Sequence, residues 1–362
     1  MPQGPECLVL ASTLALGGGE RVLAKMLQEL SAEGRPFHLI TLKEPGHVGE
    51  LLKADGLSMD SWNLTDTRDP RILIRLWRLL RKRSPGMLYI QDHHDCIFWG
   101  SLAAALSGFI PVAIPVHSPG QKGATSFRPQ NRWLLGLGQV LVLLGRWHRW
   151  ALRDEDHLAD GPRATVANPL DSSRFAFMKS EPNEEIVIGT VAALRPEKRH
   201  DLLLKLFAEL NTLRPARLRI AGEGPERNAL ETLADELGIR SQVEFLGARE
   251  DVAEVLAGFD LFLLTSEVEA QPLSLIEAMA CGIAVAAPAR GGIPEILEEG
   301  QRGLILKGED TQAWGRQVAA YLEYLPDEAT RRRRASDIID EFSDISFKHR
   351  YARLMDLLMG TV

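Results

Sequence analysis

The sequence predicts an α/β protein built from two Rossmann-like, doubly wound parallel-sheet domains, and three observations carry that reading. Short apolar runs of strand length alternate with helical patterns, glycine-bearing turns follow the strands, and the whole grammar starts twice within 362 residues. Continuous Val-, Ile- and Leu-rich strands separated by helices are what a sheet covered on both faces requires. The length agrees, because single cores stop growing at roughly 250–300 residues.

In the first half, residues 8–12 read as a buried strand and 20–33 as an amphipathic helix ending near Gly34. Residues 37–42, 87–91 and 111–117 read as further strands, and the runs 110–116 and 140–144 are also of strand length. None approaches the roughly 20 apolar residues of a membrane span. The polar segment 180–184, which holds Pro182, is the expected linker. Beyond it, strands are expected at 185–192, 216–221, 243–246, 261–264 and 284–287, with helices at 201–210, 227–237, 252–257 and 272–280. The predicted domains are 1–178, joined by a C-terminal helix at 346–362, and 179–345. Two such sheets place a ligand in a central cleft at their carboxyl edges, so function belongs to the loops after strands.

Composition narrows the class. With 45% hydrophobic and 25% charged residues the chain is globular rather than disordered. Cys7, Cys96 and Cys281 are too widely spaced for a disulfide framework or a zinc site. Residues 1–6 carry no basic side chain and lead straight into a strand pattern, unlike a signal peptide, so the expected location is cytoplasmic. The net charge of −7 divides unevenly: residues 1–178 hold 20 Lys and Arg against 17 Asp and Glu, and the remainder hold 22 against 32.

The basic first half also carries six of the seven tryptophans. In the segment from Arg71 to Arg83, Ile72, Leu73, Leu76, Leu79 and Leu80 recur at helical spacing. Around them stand Arg71, Arg75, Arg78, Arg81, Lys82, Arg83 and Trp77. Arg132-Trp133 and the run from Arg146 to Trp150 repeat the mixture. Such helices can lie on an anionic surface, at about 1 kcal/mol per basic residue, which predicts peripheral contact with the inner face of the cytoplasmic membrane. The plainer reading is a sheet-covering helix with a solvated basic face. Nucleic acid is not expected, since no stacking platform or recognition helix accompanies the charge.

Two motifs carry chemistry. Gly17-Gly18-Gly19-Glu20-Arg21 falls between a strand and a helix, where glycines let the backbone approach a diphosphate and the helix start attracts it. In the run from Glu267 to Gly282, Pro272 fits the first helical position and Gly282 the residue just past the end. Glu277 then lies about 7.5 Å along the helix from its start, and Glu269 lies in the loop before it. The amides of Leu273 and Ser274 head the helix and can hold a diphosphate, with one carboxylate deep enough for ribose hydroxyls and the other placed for sugar hydroxyls.

From residue 191 to 297 the chain resembles the donor-binding domain of the large retaining glycosyltransferase family four, of GT-B fold and of the bacterial cell-surface polysaccharide and lipopolysaccharide type. The paired glutamates Glu269 and Glu277 match its signature. So do Arg195-Pro196-Glu197-Lys198, Gly222-Glu223-Gly224-Pro225, Phe245-Leu246-Gly247 and Gly291-Gly292-Ile293-Pro294-Glu295. Gly18-Gly19-Glu20-Arg21, Pro115-Val116-His117, Asn168-Pro169-Leu170-Asp171 with Phe175, and the terminal helix extend the likeness over nearly the whole chain.

The resemblance implies a metal-independent, retaining transfer from a nucleotide sugar, UDP- or GDP-linked, to a saccharide or lipid-linked acceptor, with no cofactor. It places Glu277 on the ribose, and Glu269 with Gln271, Leu273 and Ser274 on the sugar and diphosphate. Lys198 with Arg195 falls on the departing diphosphate, Gly18 and Gly19 on the donor phosphates, and His117 on the sugar from the acceptor side. Glu269, Lys198 and His117 are the implied catalytic residues.

Two departures stand out: Ala193 occupies a position where many members carry arginine, and Gln271-Pro272 replaces an aromatic and a glycine. Asp92-His93-His94-Asp95 is the one ligand-like cluster, but adjacent His and Asp side chains point apart, and an acceptor or loop-structuring role fits it better than a metal. The rival readings are a nucleotide-sugar epimerase or phosphorylase on the same fold, and a non-catalytic nucleotide-sugar-binding protein. An NAD oxidoreductase fits least, since residues 37–42 offer no acidic ribose partner.

Overall fold

The computed structural model describes residues 5–15, 18–91, 93–117, 127, 129–154, 158, 161–179 and 185–360. Leu16 and Gly17 of the first glycine run, Asp92, and the expected linker 180–184 lie outside the described residues. The chain divides into two compact units, Met1–Asn168 with Phe347–Val362, and Pro169–Ser346.

The first unit holds a seven-stranded parallel sheet. Its strands are β1 (Cys7–Ala11), β2 (Phe37–Thr41), β3 (Met59–Ser61), β4 (Met87–Ile90), β5 (Val112–Pro115), β6 (Val140–Leu143) and β7 (Arg163–Thr165), in the order β3-β2-β1-β4-β5-β6-β7. Side chains alternate across the sheet with period two. Cys7, Val9 and Ala11 therefore pack with Leu23, Leu27 and the terminal-helix residues Phe347 and Tyr351. Leu8 and Leu10 pack on the opposite face with Leu76, Leu80 and Ile97. The helix Asp344–Met359 is anchored there by a buried Tyr89–Tyr351 hydroxyl contact of 3.0 Å and by Arg35 to Asp356 at 2.6 Å.

The second unit repeats the plan with six strands: β8 (Ile186–Val191), β9 (Ala216–Ala221), β10 (Val243–Gly247), β11 (Leu261–Leu263), β12 (Ala284–Pro288) and β13 (Leu304–Leu306). Their order is β10-β9-β8-β11-β12-β13, again parallel throughout. In both sheets the strand order reverses once, at β1/β4 and at β8/β11. Those are the places where loops part and leave room for a ligand.

Residues 169–178, expected in the first domain, pack within the second unit: the Leu170 amide donates to the Phe342 carbonyl at 2.7 Å and the Met178 amide to Cys281 at 3.1 Å. The strand read at 111–117 ends at Pro115, which leaves His117 in the following loop. Among the described residues no helix is long and apolar enough to cross a membrane.

Candidate functional site

The second unit builds its site at the β8/β11 reversal. After β8 the chain passes through Arg195 into a single helical turn, Pro196–Lys198, started by proline in the position it favours. After β11 it runs through Thr265–Ala270 to the helix Leu273–Ala280. Three hydrogen bonds join the two loops: Thr265 Oγ1 to the carbonyls of Arg199 (3.0 Å) and Lys198 (3.3 Å), and the Glu267 amide to the Glu197 carbonyl (3.0 Å). The joint closes with an ion pair, Lys198 Nζ to Glu269 Oε1 at 2.6 Å, whose carboxylate is buried and whose ammonium is half-buried.

The glycine motifs explain how the loops come so close. A Cβ on Gly222, at φ +149°, would stand 1.9 Å from the Ala192 carbonyl oxygen, and one on Gly224 2.3 Å from that of Leu194. The loop after β9 thus lies directly on the segment leading to Lys198. In the same way a Cβ on Gly291 would meet the Glu269 carbonyl oxygen at 1.9 Å and one on Gly292 that of Ala270 at 2.0 Å, while the Gly292 amide donates to Glu269 at 2.9 Å. The backbone of Glu269 is held from behind by a loop that only glycine permits.

Pro272 is not the first helical residue. Its ψ of 111° is extended and its carbonyl accepts from the Ile276 amide at 3.3 Å, so it caps the helix from outside. A cap residue's own N–H is not part of the helix ladder, so proline there leaves the amides of Leu273 and Ser274 heading the first turn. Glu277 lies in the middle of this helix, half-buried, and its charge helps push the Cys281 thiol up to about 12, second to burial. Gln271 is half-buried in the loop before the cap. Arg195 is exposed, and its side chain enters no ion pair among the described residues, whereas Arg199 is tied to Asp201 by two hydrogen bonds of 2.9 and 3.1 Å.

In the first unit Gly18 and Gly19 open the helix Gly18–Ala32 instead of preceding it. First-turn residues have no i−4 carbonyl to satisfy, so glycine's low helix propensity matters least there. A Cβ on Gly19 would meet His117 Cδ2 at 3.0 Å and Gln91 Nε2 at 3.2 Å, which puts the glycine, the imidazole and the buried Gln91 amide side by side. Burial pushes His117 down to about 4, against the pull of Glu20, so the ring is neutral near pH 7. Glu20 is held below its usual range chiefly by the His93 imidazole, whose Nε2 stands 3.8 Å from its carboxylate.

The sequence singled out neither Glu20, His93 and Gln91 as a group nor Thr265 and Arg199. Glu20 and His93 stood within motifs already noted, but the contact between them depends on β1 and β4 being neighbours. Asp95 turns inward: burial raises its carboxyl, yet donors on Ser12, Thr67 and Cys96 outweigh that and keep it ionised. That makes it a loop tie. Among the described residues no group of three or more His, Cys, Asp or Glu side chains is arranged to hold a metal ion.

Comparison with known proteins fits this geometry. Residues 16–174 match the family model Glycosyltransferase Family 4, and residues 172–336 match Glycosyl transferases group 1. The N-acetyl-alpha-D-glucosaminyl L-malate synthase of Bacillus anthracis is 37% identical over 150 residues, 41% of this chain and 38% of that protein, so the match spans less than half of the relative's length. The solved glycosyltransferase of Rickettsia africae superposes with a TM-score of 0.85 at 13% identity, covering 99% of this chain and 100% of that one. Anabaena HepE in complex with UDP superposes at 0.81 and 18% identity, covering 97% and 99%. With both of its parallel-sheet units matched in this way, the chain belongs to the family-four glycosyltransferases of GT-B fold.

Proposed function

We propose that the chain is a metal-independent, retaining glycosyltransferase that moves a sugar from a UDP- or GDP-sugar to a saccharide or lipid-linked acceptor in cell-surface glycan synthesis. The observation that carries the reading is the Lys198–Glu269 pair at the β8/β11 reversal, beside the amides of Leu273 and Ser274. The UDP in the HepE complex favours a uridine nucleotide.

In the transfer, the acceptor hydroxyl oxygen bonds to the anomeric carbon while the bond from that carbon to the diphosphate breaks. Its electron pair goes to the diphosphate, and the hydroxyl proton leaves to a phosphate oxygen. Negative charge grows on the departing group, and the Lys198 ammonium with two helix-start amides stabilises it. Lys198 is held by Glu269 until a diphosphate draws it away. The carboxylate then turns to sugar hydroxyls, which replace the lost partner of a buried charge. Glu277 takes the ribose hydroxyls. His117, neutral at working pH, offers the reacting sugar a hydrogen bond and not a charge.

The helix Arg71–Arg83 is assigned to anionic lipid. Ile72, Leu76 and Leu80 are buried beneath it, and Ile74 and Trp77 are 50% and 38% exposed. Arg71 is tied to Asp69, Arg83 to Glu6, and Arg75 lies 3.9 Å over the Trp62 ring. Arg78, Arg81 and Lys82 carry the remaining charge.

Calorimetric titration of the full chain with UDP-, GDP- and ADP-sugars, with and without EDTA, tests the enzyme reading. Micromolar binding of a UDP- or GDP-sugar in EDTA is expected, and the absence of binding by all three would overturn it.

A further inference from the structure

A cavity of about 780 Å³ opens in the first unit, lined by loops that follow β1, β2, β3 and β4 and by the start of the helix His94–Leu106. It straddles the β1/β4 reversal, and the chemistry of its lining divides cleanly into groups already engaged and groups left open.

The engaged groups order the wall. Asp95 accepts from Ser12 Oγ at 2.8 Å and from the Cys96 amide at 2.9 Å. The Trp99 indole N–H donates to the Thr67 carbonyl at 2.7 Å. His93 Nδ1 accepts from the Ser12 amide at 3.1 Å, which leaves the ring proton on Nε2, 3.8 Å from Glu20. The loops after β1, β3 and β4 are therefore fixed to one another before any ligand arrives, and among the described residues the one lining carboxylate, Asp95, is already engaged by donors.

Among the described lining residues, the charged groups that remain are cationic. Lys43, after β2, and Arg68, after β3, both line the cavity, are exposed, and enter no ion pair among the described residues. Phe98 and Trp99, in edge-to-face contact with centroids 4.7 Å apart, supply an apolar wall beside them. A planar guanidinium and an ammonium lining one cavity suit a phosphate or carboxylate, which the arginine fork grips in two places. An aromatic wall suits the apolar face of a hydroxylated ring.

We propose that this cavity seats the acceptor, and that the acceptor is anionic: a hydroxylated ring bearing a phosphate or carboxylate held by Lys43 and Arg68, with its free hydroxyl left to take the sugar in the step written above. The inference rests on the transferase reading for the word acceptor; the binding chemistry stands without it.

The test titrates the full chain, saturated with UDP, with glucose 6-phosphate, glucuronate and glucose, one ring carrying a phosphate, a carboxylate or no charge. At least one charged probe is expected to bind tenfold or more tightly than glucose, and the stronger of the two identifies the anion. Lys43→Gln and Arg68→Gln should each remove most of that preference. A wild-type protein that binds all three probes equally, or none, overturns the proposal, as do variants that keep the full preference. UDP is titrated into every protein as a separate readout: its failure to bind counts against the donor site of the second unit and leaves the anion result to be judged alone.

Discussion

Lys198 and Glu269 meet at 2.6 Å across the gap between the loops after β8 and β11, although 71 positions separate them in the chain. Each belongs to a motif that by itself reads as a surface loop. Only the reversal of strand order makes the loops neighbours, and a buried carboxylate then has its counter-charge at the proposed diphosphate site.

Lys198→Met should affect folding and turnover together. It leaves the buried Glu269 carboxylate without its partner, and unfolding in urea should show a loss of about 1–3 kcal/mol. Turnover should fall by about 10²–10³, the scale of losing one group that stabilises developing charge. Glu269→Gln should cost less stability, because the half-buried lysine head is hydrated more easily than the buried carboxylate. Unchanged kinetics in Lys198→Met would remove the residue from the reaction.

Gly18 and Gly19 should separate under the same substitution. A Cβ on Gly18 meets nothing within 4 Å and the residue heads the helix, so Gly18→Ala should change stability by less than about 0.5 kcal/mol and disturb transfer far less than the same change at Gly19. Gly19→Ala places its methyl against His117 and Gln91, so transfer should fall while melting temperature changes little. Equal behaviour of the two variants would mean that His117 can move without consequence.

Much of this was legible in the sequence, and the limits are instructive. The strand at 216–221 and the helix at 252–257 are legible to the residue, because the strand alternates apolar and charged side chains and the helix is bounded by Asp251 and Gly258. The edge strands Met59–Ser61 and Arg163–Thr165 carry no such pattern, since an edge strand has one neighbour and little to bury, and Leu304–Leu306 is apolar throughout but too short to stand out. The partners Lys198 and Glu269 were both named as site residues, but their contact was not, because strand order is a non-local property. The glycine motifs were read as phosphate contacts or family marks. The structure shows that Gly222, Gly224, Gly291 and Gly292 act first through carbonyl oxygens 1.9–2.3 Å from where a Cβ would stand.

Gly292→Ala tests that packing. Its Cβ cannot coexist with the Ala270 carbonyl, so the loop carrying Glu269 must shift. A melting temperature several degrees lower and a weakened affinity for UDP-sugar are expected together, by thermal unfolding and calorimetry. A variant that loses stability but binds donor normally would confine Gly292 to a folding role.

Vesicles distinguish the two readings of the helix Arg71–Arg83. Those containing phosphatidylglycerol should co-sediment the protein, and those of phosphatidylcholine should not, with the difference lost above about 0.5 M salt as screening shortens the reach of the charges. Replacing Arg78, Arg81 and Lys82 by glutamine should abolish binding to the first kind. Equal recovery in both supernatants would leave the helix as an ordinary cover for the sheet.

Three imidazoles set the acid response. Burial pushes His117, His148 and His200 each down to about 4 from the usual 6.5. Between those values the unfolded chain takes up protons that the folded chain refuses, so stability is complete above about pH 6.5 and falls as pH drops towards 4. The slope is at most about 1.4 kcal/mol per pH unit for each histidine. Glu20, Asp95 and Asp201, held below their usual range, add a further loss only at lower pH. Urea unfolding at pH 7, 6 and 5 should therefore show a steady decline before the carboxylates titrate. His148 offers the control: it is 1% exposed, and neither ring nitrogen has a hydrogen-bond partner among the described residues. Leucine in its place removes two unsatisfied polar atoms and one proton site, so His148→Leu should be more stable than the parent at pH 5 and should flatten the slope by about a third. A parent protein equally stable at pH 7 and pH 5 would show that these rings take up protons as readily in the fold as in the unfolded chain, and would remove the burial-imposed neutrality assigned to His117.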